Sequence, residues 1–145
     1  MAKKRYSLLI IVFIMLFSSA LFADDWMVPA SALPKKAQDF IASAYPGVAI
    51  WKVERDDGKF EVDLSNGVSI DFYMNGDWKS IDGEYMGVPK SVLPANIANV
   101  VEKTYPSSII IEIEKEWGNY KVKLNNMMEL YISADGQLMG QKFDD

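Results

Sequence analysis

The chain has 145 residues and a formal charge of −5, from 15 Lys and Arg against 20 Asp and Glu, and it contains neither cysteine nor histidine. Those two absences exclude disulfides, thiol nucleophiles, Cys/His zinc sites, histidine-based triads and a histidine pH switch. Half the residues are hydrophobic and 24% are charged, the composition of a folded chain, and the length suits one domain or two very small ones.

Residues 1–23 read as a secretory signal peptide. Lys3, Lys4 and Arg5 form its basic start, Leu8 to Phe17 its apolar run, and Ser18, Ser19, Ala20 and Ala23 its small residues. Cleavage is expected after Ala23, with Ala20 as the alternative. The apolar run is shorter than the roughly 20 residues that span a bilayer, so no stable membrane insertion is expected once the segment is removed. Export would place the chain in the periplasm or outside the cell. Removing three basic residues leaves 12 against 20 acids, a net charge of −8. Such a charge disfavours nucleic acid, whose phosphates need clustered Lys and Arg.

The remainder, 24–145, reads as a single domain made of one unit written twice, with copies at 28–85 and 88–145. At an offset of 60 residues, without gaps, fourteen of 58 pairs are identical. Among them are Val28-Pro29 with Val88-Pro89, Leu33-Pro34 with Leu93-Pro94 and Tyr45-Pro46 with Tyr105-Pro106.

Each copy opens with a helix of about three turns. Pro34 and Pro94 suit its first turn, with Ser31 and Ser91 just upstream expected to satisfy free N–H groups. Ala37, Phe40, Ile41 and Ala44 form one apolar stripe, and Ile97, Val100, Val101 and Thr104 the other. Pro46 and Pro106 end these helices. Ser107 stands where the first copy has the glycine cap Gly47.

The period then changes from 3.6 to 2. The expected inward set is Ala49, Trp51 and Val53, then Phe60, Val62 and Leu64, then Val68, Ile70 and Phe72, then Trp78. In the second copy it is Ile109, Ile111 and Ile113, then Tyr120, Val122 and Leu124, then Met128, Leu130 and Ile132, then Leu138. Ile50 and Ile110 break this pattern. Asp57-Gly58, Asn66-Gly67 and Asn75-Gly76 separate the runs, with Trp117-Gly118, Asn125-Asn126 and Asp135-Gly136 in the second copy; they read as two-residue hairpin turns. The expected fold class is α+β: two tandem α-β-β-β-β repeats, linked by Ile81 to Gly87, forming one antiparallel sheet of about eight strands with both helices on one face.

The motif L-P-x6-I-x3-Y-P followed by L-S-N-G-x-x-I-x-F-x-x-x-G-x-W resembles the PepSY-like family, also described as beta-lactamase-inhibitor-like. Leu33-Pro34, Ile41, Tyr45-Pro46, Leu64-Ser65-Asn66-Gly67, Ile70, Phe72, Gly76 and Trp78 carry it. The resemblance implies a secreted or periplasmic protein that is not an enzyme, and a sheet face able to clamp another protein. It carries over no catalytic or ligand residue.

The residues themselves offer little chemistry. Asp24-Asp25, Asp56-Asp57 and Asp144-Asp145 are adjacent acids in turns or termini, and the D-x-D-x-D-G calcium spacing is absent. No S-x-x-K or phosphate-loop pattern accompanies Lys79-Ser80 or Lys90-Ser91. No catalytic, cofactor or metal site is expected. The polar alternate positions form the candidate surface: Lys52, Glu54, Glu61, Asp63, Ser69, Asp71, Tyr73 and Lys79, with Glu112, Glu114, Lys121, Lys123, Glu129, Tyr131, Ser133 and Met139. Tyr73, Tyr131, Asp71, Glu61, Lys79 and Lys121 are the residues expected to meet a partner, an envelope protein, because tyrosine adds contact area with a polar tip. The alternative function is a small-ligand binder or envelope-stress sensor with a pocket between helices and sheet.

Overall fold

The computed structural model describes residues 26–145; the leader segment, its cleavage sites and Asp24-Asp25 lie outside the described residues. The strands are β1 (Trp26–Met27), β2 (Ile50–Asp56), β3 (Lys59–Leu64), β4 (Ser69–Tyr73), β5 (Trp78–Asp82), β6 (Ile110–Glu116), β7 (Asn119–Leu124), β8 (Met128–Ile132) and β9 (Leu138–Phe143). They form one sheet in sequence order, each antiparallel to the next. The eight expected strands are β2 to β9; the ninth, β1, adds two residues beside Glu54 and Arg55.

Helices α1 (Lys35–Ala44) and α2 (Ala95–Thr104) precede β2 and β6. Pro34 and Pro94 are the N-caps, extended at ψ 143° and 146°, and their carbonyls accept the first helical N–H bonds from Ala37 and Gln38 and from Ile97 and Ala98. Neither helix has a side-chain cap. Ser31 and Ser91 sit instead in one-turn 3-10 helices (Ala30–Ala32 and Lys90–Val92), which shape the approach by their backbones. Ala37 and Ile41 of α1, and Ile97 and Val101 of α2, are buried in a single apolar cluster that runs through both copies. Full burial of an Ile, Val or Phe side chain contributes about 1.5–3 kcal/mol, so joining the copies enlarges what either could bury alone.

The inward set is right along β3, β4, β7 and β8 for Phe60, Val62, Leu64, Ile70, Phe72, Val122, Leu124, Leu130 and Ile132, all buried. It fails at the starts of β2 and β6. The pairing slips between Ile50 and Lys52 and, at the matching place, between Ile110 and Glu112. A bulge of this kind inserts one unpaired residue and reverses the alternation on one side of itself. Trp51 is therefore 78% exposed and Ile109 54%, while Ile110 is buried. Leu138 is 40% exposed, although its counterpart Trp78 is buried, because β9 is at the edge of the sheet and no strand among the described residues lies beyond it.

Two of the turns are the expected two-residue type: Asp57-Gly58 and Trp117-Gly118 have positive φ at both positions. At the others only the last residue is left-handed, as in Gly67 (φ 92°) and Gly76 (φ 89°). In the second copy that residue is Met127 (φ 66°), not Asn126.

Candidate functional site

Alternation places Glu61, Asp71, Tyr73, Lys121 and Tyr131 on the sheet face opposite the helices, while Lys79 is the extra residue at a slip in the β4–β5 pairing. Glu61 on β3 stands directly across from Asp71 on β4. These like charges are held by Lys59, whose Nζ lies 2.8 Å from Glu61 and 3.0 Å from Asp71. The two hydrogen bonds raise the Lys59 pKa above the ordinary lysine range. Lys121 on β7 stands across from Tyr131 on β8, and its ammonium pairs with Glu114 on β6 at 2.7 Å. That contact lowers the Glu114 pKa and raises that of Lys121. The Tyr131 hydroxyl donates to Glu129 at 2.8 Å, and Lys142 approaches the same carboxylate at 3.4 Å.

The structure brings four of the six, Tyr73, Lys79, Lys121 and Tyr131, around a residue that the sequence reading left as a turn, and leaves Glu61 and Asp71 apart from it. Trp117, at the tip joining β6 and β7, is fully exposed and left-handed at φ 52°. It is a shared wall of two hollows. One is lined by Tyr73, Lys79, Glu114 and Glu116; the other by Lys121, Tyr131, Asn119 and Met139. With strands spaced by roughly 4.8 Å, four strand steps place β4 and β8 on the order of 19 Å apart, with the Trp117 tip between them. The signal for Trp117 was present in the repeat: the matching residue of the first copy is Asp57, which tolerates a left-handed turn far better than a bulky indole.

On the helix face a cleft of about 510 Å³ lies between α1 and the 3-10 turn before α2, lined by Lys36, Asp39, Phe40, Trp78, Ser91 and Lys115 among others. The Lys115 Nζ sits 3.7 Å from the centre of the Trp78 ring, and burial lowers its pKa. Beneath it Phe40, Phe72, Trp78 and Tyr120 pack ring against ring. Among the described residues no group of three or more acids is placed to hold a metal ion, and no helix is long and apolar enough to cross a membrane.

A family described as "Putative beta-lactamase-inhibitor-like, PepSY-like" matches residues 23–76 and 58–140. The chain belongs to this PepSY-like family. Two overlapping matches agree with the tandem copies. A search of curated proteins finds no match. Among solved structures, a "putative calcium-regulated periplasmic protein" from Bacteroides thetaiotaomicron is 28% identical, with a TM-score of 0.77 over 82% of this chain and 97% of that one. A periplasmic protein from Bacteroides vulgatus is 27% identical, with the same TM-score and coverage. A second B. vulgatus protein, 21% identical with a TM-score of 0.76 over 82% of this chain and 99% of that one, shares the fold. The periplasmic or secreted setting of the PepSY-like chain matches that of these relatives.

Proposed function

We propose that the chain is a non-enzymatic periplasmic binding module that holds a protein partner on its polar sheet face, centred on Trp117. The observation that carries this reading is Trp117 itself. An indole held at positive φ and left wholly in water contributes nothing to the fold and stores strain, and such strain is concentrated at functional sites. Exposed Trp and Tyr are the side chains that anchor interfaces, especially where polar groups surround them. Tyr73 and Tyr131 flank it, and Lys79 and Lys121 line the same hollows. Net acidity favours a partner with a basic surface and a recess for the indole.

Capture from periplasmic extract supplies the partner, and titration of the purified pair tests the site. Trp117→Asn restores a residue suited to the turn. It should leave stability unchanged or higher and weaken binding at least tenfold; Tyr73→Ala with Tyr131→Ala should weaken binding as much but lower stability, because buried Glu129 loses the Tyr131 hydroxyl. Equal affinity of wild type and both variants would overturn the reading.

A further inference from the structure

We propose that β9 is the edge through which two copies of this chain pair into a dimer. The repeat supplies the template. At the 60-residue offset β9 is the counterpart of β5, and the outer side of β5 is occupied by β6: Ile81 faces Ile113, and the Gly83 N–H donates to the Ile111 carbonyl at 2.8 Å. The matching groups on β9 belong to Gln141 and Phe143. Their direction follows from one bond. Asp144 N–H donates to the Met127 carbonyl at 2.8 Å, so Asp144 and Lys142 direct their backbones to β8. Phe143 and Gln141, alternating with them, direct theirs away, and no strand of the described chain lies beyond β9. The side chains agree. Trp78 and Ile81 on β5 are buried, whereas Leu138 and Phe143 on β9 are 40% and 61% exposed.

The opposite edge offers little for this role, because its outermost strand, β1, is only two residues long. β1 covers Glu54 and Arg55, and the Val28 N–H donates to the Val53 carbonyl at 2.9 Å. A head-to-tail joint copying β5–β6 would set Gln141 against that occupied Val53 and Lys142 against Lys52, two like charges. The remaining partner is an identical β9 related by a two-fold axis. A pairing centred on Gln141 uses its outward N–H and C=O and sets Lys142 opposite Gly140 and Phe143 opposite Met139 of the second copy, with no like charges facing. An unpaired edge invites such addition, and Lys142, drawn towards Glu129, guards it weakly. One strand pair buries less than the roughly 1,600 Å² of a standard interface, so the expected affinity is micromolar.

Sedimentation equilibrium of the exported chain over a concentration series should show the mass doubling in the micromolar range. Gln141→Pro deletes an N–H that faces away from β8, which leaves the β8–β9 ladder whole. It should be monomeric throughout, with wild-type circular dichroism and a slightly lower Tm, since the Gln141 side chain that accepts from the Tyr105 hydroxyl is lost as well. Phe143→Asp should weaken dimerisation at least tenfold. A wild-type chain that stays monomeric, including one that instead takes up an extended peptide, overturns the proposal, as does a dimer that both variants leave intact. Neither variant touches Trp117, so the partner-binding reading stands or falls separately.

Discussion

The chain leaves α1 through Gly47 and Val48 but leaves α2 through Ser107 and Ser108, and both serines are the poorer choice. Gly47 has φ 78° and Ser107 φ 61°. A side chain in this region costs about 1–2 kcal/mol, which glycine avoids. The Ser108 hydroxyl is buried without a hydrogen-bond partner, where the first copy places a valine. A buried hydroxyl in that state costs about 1–3 kcal/mol. Ser107→Gly with Ser108→Val should therefore raise unfolding stability by about 1–2 kcal/mol, seen as a later midpoint at unchanged slope in urea. An unmoved midpoint would show that the strain and the lone hydroxyl carry no cost. Trp117 is the contrasting residue: its left-handed backbone carries a fully exposed indole where the first copy has Asp57.

At the level of strands, the junction β5–β6 joins the copies and sets Asp82 directly against Glu112. Burial first, and the Asp82 charge second, raise the Glu112 carboxyl above its ordinary pKa, while Lys121 and Lys123 act against the rise. A raised carboxyl binds its proton more tightly in the folded state. Its contribution is therefore whole at pH below the unfolded carboxylate value and is lost as pH rises through the folded one. Glu112→Gln should raise Tm at neutral pH by the equivalent of about 0.5 kcal/mol, the scale of a facing like-charge pair. The gain should vanish near pH 3; a gain independent of pH would contradict the mechanism. This junction also marks what the sequence made legible. Strict alternation in β3, β4, β7 and β8 read the core correctly, and the 60-residue offset read the order of elements. The bulges at Ile50–Lys52 and Ile110–Glu112 escaped because runs such as Ala49-Ile50-Trp51 and Ile109-Ile110-Ile111 are apolar on both faces, and no residue type marks the slip. The polar sheet face was legible as alternating charge and tyrosine. Its ion pairing was not: Lys121 stands across from Tyr131 on β8 yet pairs with Glu114 on β6, a choice set by cross-strand register.

Across the whole molecule one sheet and one continuous apolar cluster run through both copies, and Tyr45 reaches from the end of α1 into the segment that links them. Its hydroxyl donates to the Gly87 carbonyl at 3.1 Å, in a buried setting. That segment is itself tightly made. A side-chain carbon on Gly83 would lie 2.4 Å from the Gly87 carbonyl, so the chain folds back there only through glycine. Burial pushes the Tyr45 phenol up to about 12 from an ordinary value of 10.0. The neutral phenol is the form the fold accepts. Below pH 10 folded and unfolded chains both hold the proton, and the contribution is whole. Between pH 10 and 12 the unfolded chain ionises while the folded one resists, so stability falls by on the order of 2 kcal/mol from this group. Tyr45→Phe should be less stable at neutral pH by about 1 kcal/mol, having left the Gly87 carbonyl without its donor, yet should lose less on going to pH 12. Far- and near-ultraviolet circular dichroism should follow one transition for wild type at each pH, both copies unfolding together. Separate transitions would show that the copies unfold independently, and equal alkaline losses in wild type and Tyr45→Phe would show that this tyrosine does not couple them.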